Sequence, residues 1–220
     1  AGTGKSTLLK YFRKNTKKKH VILAPTGVAA LNVKGQTIHS FFGFHPNIQL
    51  SMVKKAPKES IKLFKDLETI VIDEISMVRA DLLDCIDRAL KLNRGNSNEP
   101  FGGVQMIFIG DLFQLPPVVT REETYRFQSE YDSPYFFSAY TMYEVDLNII
   151  ELQKIHRQKE KKFIALLEKL RTDTIDRNDI DEWNKRHDPN FNTDTDSDYI
   201  HLTTTNKMAQ KRNEQELRRL

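Results

Sequence analysis

The chain opens on Gly2 Thr3 Gly4 Lys5 Ser6 Thr7 and runs straight into a helical pattern from Ser6 to Lys14. No other stretch restricts the fold as much. A glycine-rich turn closing on Lys and Ser is most of the phosphate-loop pattern G-x-x-x-x-G-K-[ST]. Its glycines let backbone N–H groups turn inward around phosphate oxygens. In that arrangement Lys5 reaches the β/γ oxygens, Ser6 places its hydroxyl on a magnesium ion, and the amino end of the helix adds positive potential. Such a loop has to be held by a strand before it, and the first glycine of the pattern falls ahead of residue 1. The chain therefore reads as a piece of a longer protein.

Beyond the loop, strand and helix patterns alternate. Val21 to Ala24 is a short buried strand closed by Pro25; Thr69 to Ile72 ends in Asp73 Glu74; Val104 to Ile109 ends in Gly110 Asp111. These runs are apolar on successive residues, as in parallel strands covered on both faces. Helical patterns lie between them, notably Ala80 to Leu92, followed by a polar loop from Asn93 to Asn98. The pattern is α/β, doubly wound, and in such sheets ligands sit at the carboxyl ends of the strands, where every acidic or glycine-rich break falls here. Leu147 to Leu152 offers a further strand and Lys161 to Leu170 an amphipathic helix. Residues 172–198, rich in Asp, Asn and Thr, read as a linker with a short helix around Trp183, while Ile200 to Thr203 and Asn206 to Leu220 read as the first strand and helix of a second domain.

Two further elements carry chemistry. Val71 Ile72 Asp73 Glu74 is an apolar strand delivering adjacent carboxylates. Successive strand residues point opposite ways, so Asp73 can serve the magnesium shell and Glu74 the attacking water as general base. Gly110 to Val118 again leaves a buried strand: the Gln114 amide can donate to a γ-phosphate and report its loss, and Pro116 and Pro117 stiffen the segment after it.

Composition excludes more than it identifies. Across 220 residues, 39% are hydrophobic and 29% charged, an ordinary globular mixture. No apolar stretch approaches the roughly 18 residues that suggest a membrane span, so no membrane role is expected. The formal charge of +4 and pI near 9.0 suit a polyanionic partner without demanding one. Lys17 Lys18 Lys19 reads as a solvated helix end. The single cysteine, Cys85, lies on the apolar side of the helical ADLLDCIDRAL and forbids an internal disulfide or a zinc cluster, which places the chain in a reducing compartment.

Longer strings then resemble one family. APTGVAALNVKGQTIHSFF (Ala24 to Phe42), VIDEISMV (Val71 to Val78), PFGGVQMIFIGDLFQLPPV (Pro100 to Val118) and LQKIHRQ (Leu152 to Gln158) are similar, in order and over nearly the whole chain, to the successive motifs of the Pif1-like helicases of superfamily 1B. A looser resemblance is to the RecD-like helicases. The resemblance implies a RecA-like P-loop NTPase domain with a parallel sheet flanked by helices, plus the beginning of a second such domain. Domain 1A would span 1–171, with a small 1B wedge insertion at 44–66, a linker at 172–198 and the start of domain 2A at 199–220.

The implied activity is ATP hydrolysis coupled to 5′–3′ movement along single-stranded DNA, with unwinding of duplex or G-quadruplex DNA in genome maintenance, including repair, recombination and telomere maintenance. ATP and Mg²⁺ are the implied cofactors. Carried over by residue, Gly2, Thr3, Gly4, Lys5, Ser6 and Thr7 bind ATP; Ser6 and Asp73 hold magnesium; Lys5, Asp73, Glu74, Gln114 and Arg157 form the catalytic set, Arg157 meeting transition-state charge with a planar guanidinium. Thr26, Gly27, Thr37, His39, Ser40, Phe42 and Pro116 fall on the DNA track, where hydroxyls and glycine N–H groups hold phosphates and a ring stacks on an unpaired base. One of Phe41 and Phe42 is expected in the core instead. The protein is expected to be monomeric and intracellular, with bacterial cytoplasm, nucleus and mitochondrion equally compatible. The adenine-reading segment ahead of the loop and the later motifs of the second motor domain lie outside this sequence, so this piece alone is not expected to unwind DNA efficiently.

Other classes explain less. Asn206 Lys207 Met208 resembles the guanine-reading N-K-x-D, but its fourth position is Ala209, which has no carboxylate for the guanine ring. A small-molecule kinase leaves the Asp73–Glu74 pair and the Gly110 to Val118 segment without a use. A DNA-binding module that had lost catalysis would not need Lys5, Ser6, Asp73, Glu74, Gln114 and Arg157 together.

Overall fold

The computed structural model describes residues 2–156, 158, 160–190 and 200–218. The chain forms two compact units, Ala1–Ala165 and Leu166–Leu220.

The first unit is built on a four-stranded, wholly parallel sheet of β1 (His20–Ala24), β2 (Gln36–Thr37), β3 (Thr69–Ile72) and β4 (Gln105–Phe108), in the order β2-β1-β3-β4. Its strands are short, and β3 is buried at all four residues. Alternation along the pleat splits their side chains between two layers. On one face Ile22 and Val71 pack with Leu9 of α1 (Lys5–Asn15), supported by Phe12, Val33, Ile107 and Ile109. On the other, Leu23, Ile70 and Ile72 join Leu83, Ile86 and Leu90 of α5 (Ala80–Arg94) and Phe64 of α4 (Lys58–Asp66). Each such fully buried aliphatic contributes about 1.5–3 kcal/mol of transfer free energy. This is the doubly wound architecture expected from the continuous apolar runs, and the RecA-like one that the family resemblance implies.

Leu83, Ile86 and Leu90 recur at helical spacing, which is why α5 presents one stripe to the sheet. The helix stops where Gly95 takes a left-handed φ of 70° and returns its N–H to Lys91 O. Between β1 and β3, α2 (Gly27–Asn32) and α3 (Ile38–Phe42) flank β2. Residues 44–66 hold a 3₁₀ turn and α4, and they reach the core through Val53 and Phe64. After β4 comes α6 (Arg121–Glu130), started by a Thr120–Glu123 capping box.

The strand expected at Leu147 to Leu152 does not form: these residues pair with no strand among those described, and Ile149 and Ile150 are 85% and 83% exposed. Apolar composition makes a strand only where a neighbouring ladder takes up its N–H and C=O groups. The same reason applies in the second unit, where Ile200 to Thr203 is irregular and Ile200 and Leu202 are 88% and 94% exposed. The helices there do form. α7 (Lys161–Arg171) leads into it, α8 (Arg177–Asn184) starts at a capping box on Asp176, and α9 (Asn206–Leu217) is capped by Thr205. Lys169 holds Asp179 at 2.7 Å.

Candidate active site

Register decides which loops meet. Leu23 pairs with Ile72, Ile72 with Phe108, and Ala24 with Thr37, so all four strands end at one edge. That edge carries Thr26 after β1, Thr37 at the end of β2, Asp73 and Glu74 after β3, and Gly110 and Asp111 after β4. The crossovers make this the crevice where doubly wound sheets bind ligands.

The glycine-rich turn meets the same edge. Gly2 and Gly4 have φ of 79° and 96°, values open to glycine and strained for other residues, and Gly4 is the amino cap of α1. Gly4 O accepts the amides of Thr7 and Leu8 at 3.0 and 2.9 Å, so Lys5, Ser6 and Thr7 start the helix with the hydroxyls of Ser6 and Thr7 on the exposed side. Lys5 is partly buried, and its Nζ lies 3.7 Å from Asp111 Oδ2. Gln114 donates from Nε2 to that same oxygen at 2.8 Å. The Phe113 amide donates to Asp111 Oδ1 at 3.2 Å. Burial opposes ionisation of Asp111, but hydrogen bonds to its carboxylate, Gln114's foremost and Phe113's among them, hold it below the ordinary range.

Asp73 is buried, and burial pushes its carboxyl upward, against the Glu74 amide and the Lys5 charge. Glu74 is also raised, first by burial, then by Asp73 and Asp111, with Lys5 opposing. Lys5, Asp73, Glu74 and Asp111 therefore form one electrostatic group. Strand alternation does not set the directions of this pair. β3 ends at Ile72, and Glu74 sits beyond it in left-handed conformation, φ 53° and ψ 44°. That backbone costs a non-glycine residue of order 1–2 kcal/mol. Strain at the one residue assigned to activate water, next to a buried carboxylate, suits a site in which its direction matters.

The donor set suits magnesium. Ser6 and Asp73 supply a hydroxyl and a carboxylate, hard oxygen donors, and among the described residues no cluster of three or more His, Cys, Asp or Glu side chains would hold a metal by itself. That fits Mg²⁺, which keeps waters and takes phosphate oxygens with one or two protein ligands.

Along the β1–β2 part of the edge, Thr26 Oγ1 accepts the Ala29 amide and Thr37 Oγ1 the Ser40 amide, each at 3.2 Å. Both hydroxyls act as helix caps through a lone pair, which leaves each O–H available as a donor. Gly27 and Ser40 are exposed, and a Cβ on Gly27 would meet nothing within 4 Å, so protein packing does not require a glycine there. His39 is half-buried, and burial lowers its pKa. Pro116 is exposed, whereas Pro117 is buried. Phe42 is half-buried, and its ring lies 5.0 to 5.9 Å from those of Phe41, Phe44 and Phe64 and packs against the core. Phe41, from the same helix, packs there too.

Arg157 lies outside the described residues. Its neighbour His156 donates its amide to Gly2 O at 2.8 Å, which brings the LQKIHRQ segment onto the glycine-rich turn. The motifs gave no role to Asp111, which bonds Gln114 and faces Lys5, although its position just past β4 was the available signal. Nothing in the sequence signalled Arg79, which donates to Asp81 at 2.6 Å and to Glu123 at 2.9 Å and lies 5.1 Å above the Phe127 ring.

A parallel sheet whose carboxyl edge collects a phosphate loop, an acidic pair and a glutamine-bearing segment defines a RecA-like P-loop domain. The family model for PIF1-like helicases matches residues 1–181, and the chain belongs to that family. It is similar to the ATP-dependent DNA helicase PIF1 of Candida albicans, 37% identical over 187 residues, covering 80% of this chain and 20% of that protein. The human ATP-dependent DNA helicase PIF1 is 35% identical over 175 residues, covering 78% and 26%. Among solved structures, Pif1 from Bacteroides in complex with ADP-AlF3 and single-stranded DNA aligns with a TM-score of 0.88 at 39% identity, covering 99% of this chain and 51% of that one. The chain thus spans about half of that solved structure and about a fifth to a quarter of these curated relatives.

Proposed function

We propose that this chain is the ATP-binding part of a DNA helicase that hydrolyses ATP with Mg²⁺ to move 5′–3′ on single-stranded DNA and unwind duplex or G-quadruplex DNA. The observation that carries the reading is the convergence of Lys5, Asp73, Glu74 and the Asp111–Gln114 pair at one sheet edge, beside the Thr26–Thr37 stretch. The Bacteroides relative solved with ADP-AlF3 and single-stranded DNA supports both ligands.

The residues divide the work. The turn at Gly2 to Thr7 receives the phosphates on backbone N–H groups, with Lys5 as the cation closest to the terminal phosphate. Ser6 and Asp73 hold Mg²⁺, which neutralises charge on the phosphate oxygens when bound. Glu74 accepts a proton from the attacking water, and its raised pKa strengthens it as a base. Gln114 donates to the γ-phosphate, and Arg157 supplies charge to the transition state. Thr26, Gly27, Thr37, Ser40 and Pro116 contact the strand, and His39 stacks on a base.

Domain 1A takes in 1–171, with 44–66 as the 1B element, 172–198 as linker and 199–220 as the start of domain 2A. The protein works as a monomer on DNA inside the cell; no helix among the described residues is long and apolar enough to cross a membrane. Strand displacement by the full-length protein tests the reading. A duplex with a 5′ single-stranded tail should be opened with ATP and Mg²⁺ and a 3′-tailed one left intact; equal opening of both, or opening without ATP, contradicts it.

A further inference from the structure

One carboxylate oxygen holds both groups assigned to the γ-phosphate. Oδ2 of Asp111 takes the Gln114 amide at 2.8 Å and faces the Lys5 ammonium at 3.7 Å. Its other oxygen, Oδ1, caps the Phe113 amide, and its backbone O accepts the Gln114 N–H at 3.0 Å, so residues 111–114 wrap around the Asp111 side chain. The turn rests on a fixed base. A Cβ on Gly110 would lie 2.8 Å from Ile75 Cγ2 and 3.2 Å from the Ile75 and Ser76 amides, so the chain before Asp111 is pressed against the turn that follows Asp73 and Glu74. Beyond it, Leu112 to Pro116 are all exposed until Pro117 is buried. Little packing opposes movement of that exposed stretch, and Asp111 is what its backbone turns on.

We propose that Asp111 is a positioning residue that competes with the terminal phosphate of the nucleotide for Lys5 and Gln114, and so sets how strongly a triphosphate pulls on the segment carrying Pro116. This rests on the ATP-and-DNA reading above. A γ-phosphate is the stronger acceptor for an ammonium and an amide donor. When it takes Gln114, the contact from Gln114 to Asp111 Oδ2 is given up, and the 112–116 stretch loses a tether while its base at Gly110 stays in place. The nucleotide then does work on the DNA-facing segment in proportion to what Asp111 had held. A ligand changes a conformational equilibrium only through its differential interaction with the two arrangements. Here the difference is where Gln114 is bonded. A diphosphate does not reach Gln114 and should leave the tether intact.

Equilibrium binding on the full-length protein separates this from a structural role. Fluorescent ADP and a non-hydrolysable fluorescent ATP analogue would be titrated into the wild type, Asp111→Asn and Asp111→Ser. Asparagine keeps the acceptor for Phe113 without the charge, and serine keeps a short capping oxygen that cannot reach Gln114. Removing the competitor should raise the preference for the triphosphate analogue over ADP by about tenfold, a change equal to one modest charge-assisted contact. The ratio by which the analogue alters affinity for a single-stranded oligonucleotide should shrink toward one. A wild-type triphosphate preference retained unchanged in both variants, or lowered in either, overturns the proposal. A wild-type protein that binds neither nucleotide, or whose DNA affinity ignores the analogue, overturns the ATP-and-DNA reading itself. Thermal melting of each variant identifies any that is unfolded; the other then decides the question, and if both unfold, Gln114→Ala, which removes the amide that Asp111 and the phosphate compete for, should abolish the analogue's effect on oligonucleotide affinity, and an effect of wild-type size overturns the proposal.

Discussion

Arg79 Nη1 donates to Glu123 Oε1 at 2.9 Å, tying the turn that follows the acidic pair to the first turn of the helix that follows Pro116 and Pro117. Glu123 also accepts the Thr120 hydroxyl at 2.7 Å, and Arg79 is held on its other side by Asp81. The two segments assigned to nucleotide chemistry and to DNA are therefore joined behind the site as well as in front of it.

The Thr120 hydrogen bond and, after it, the Arg79 guanidinium outweigh burial and hold the Glu123 carboxyl at about 2. A folded-state value below the unfolded one adds stability that is fully present above about 4.5 and is lost as pH falls toward about 2. Glu123→Gln should cost about 1 kcal/mol at neutral pH. Urea unfolding of wild type and variant between pH 6 and pH 2.5 should show this difference shrinking on acidification; a constant difference rules out the ionised pairing.

Asp84 accepts the Tyr131 hydroxyl at 3.0 Å and the amides of Tyr140 and Thr141 at 3.1 and 2.9 Å. Asp84→Ala leaves three donors without this partner and should destabilise the first unit by about 3 kcal/mol. The urea midpoint measures it, and a shift equivalent to under about 1 kcal/mol shows that the three donors find other acceptors.

Cys85 is fully buried, and burial pushes its thiol up to about 12. Only the thiolate reacts quickly, so a chromogenic thiol reagent at pH 8 should leave the native protein unlabelled and label it at once in guanidinium. Labelling of the native protein at the rate of a free thiol contradicts the packing of Val53, Phe42, Phe44 and Ile48 over that side of α5.

Glu74→Gln keeps the size and a hydrogen-bonding oxygen but removes the base. Nucleotide affinity should stay within a few-fold while turnover in the full-length protein falls by about 100-fold or more. Loss of binding in parallel with turnover assigns Glu74 to nucleotide binding instead.

Fold and site were legible in the sequence wherever chemistry and local geometry coincide. The glycine turn that starts α1, the buried β3 run ending at Ile72 and the stripe of Leu83, Ile86 and Leu90 were legible because each is set by residues close together in the chain. Failures fell where the deciding partner is distant. Leu147 to Leu152 has strand composition but no ladder among the described residues. Asp111 meets Lys5, 106 residues earlier, through a contact that exists only once β1, β3 and β4 are in register. Strand alternation does not set the directions of Asp73 and Glu74, because β3 stops at Ile72 and Glu74, two residues on, is left-handed.

The most direct test of a DNA-coupled ATPase is the rate of ATP hydrolysis by the full-length protein with and without a single-stranded oligonucleotide, with Lys5→Ala as reference. A motor of this design should hydrolyse ATP slowly alone, at least about tenfold faster with saturating oligonucleotide, and not at all as Lys5→Ala. Wild-type turnover that is indifferent to single-stranded DNA, or survival of activity without Lys5, would contradict it.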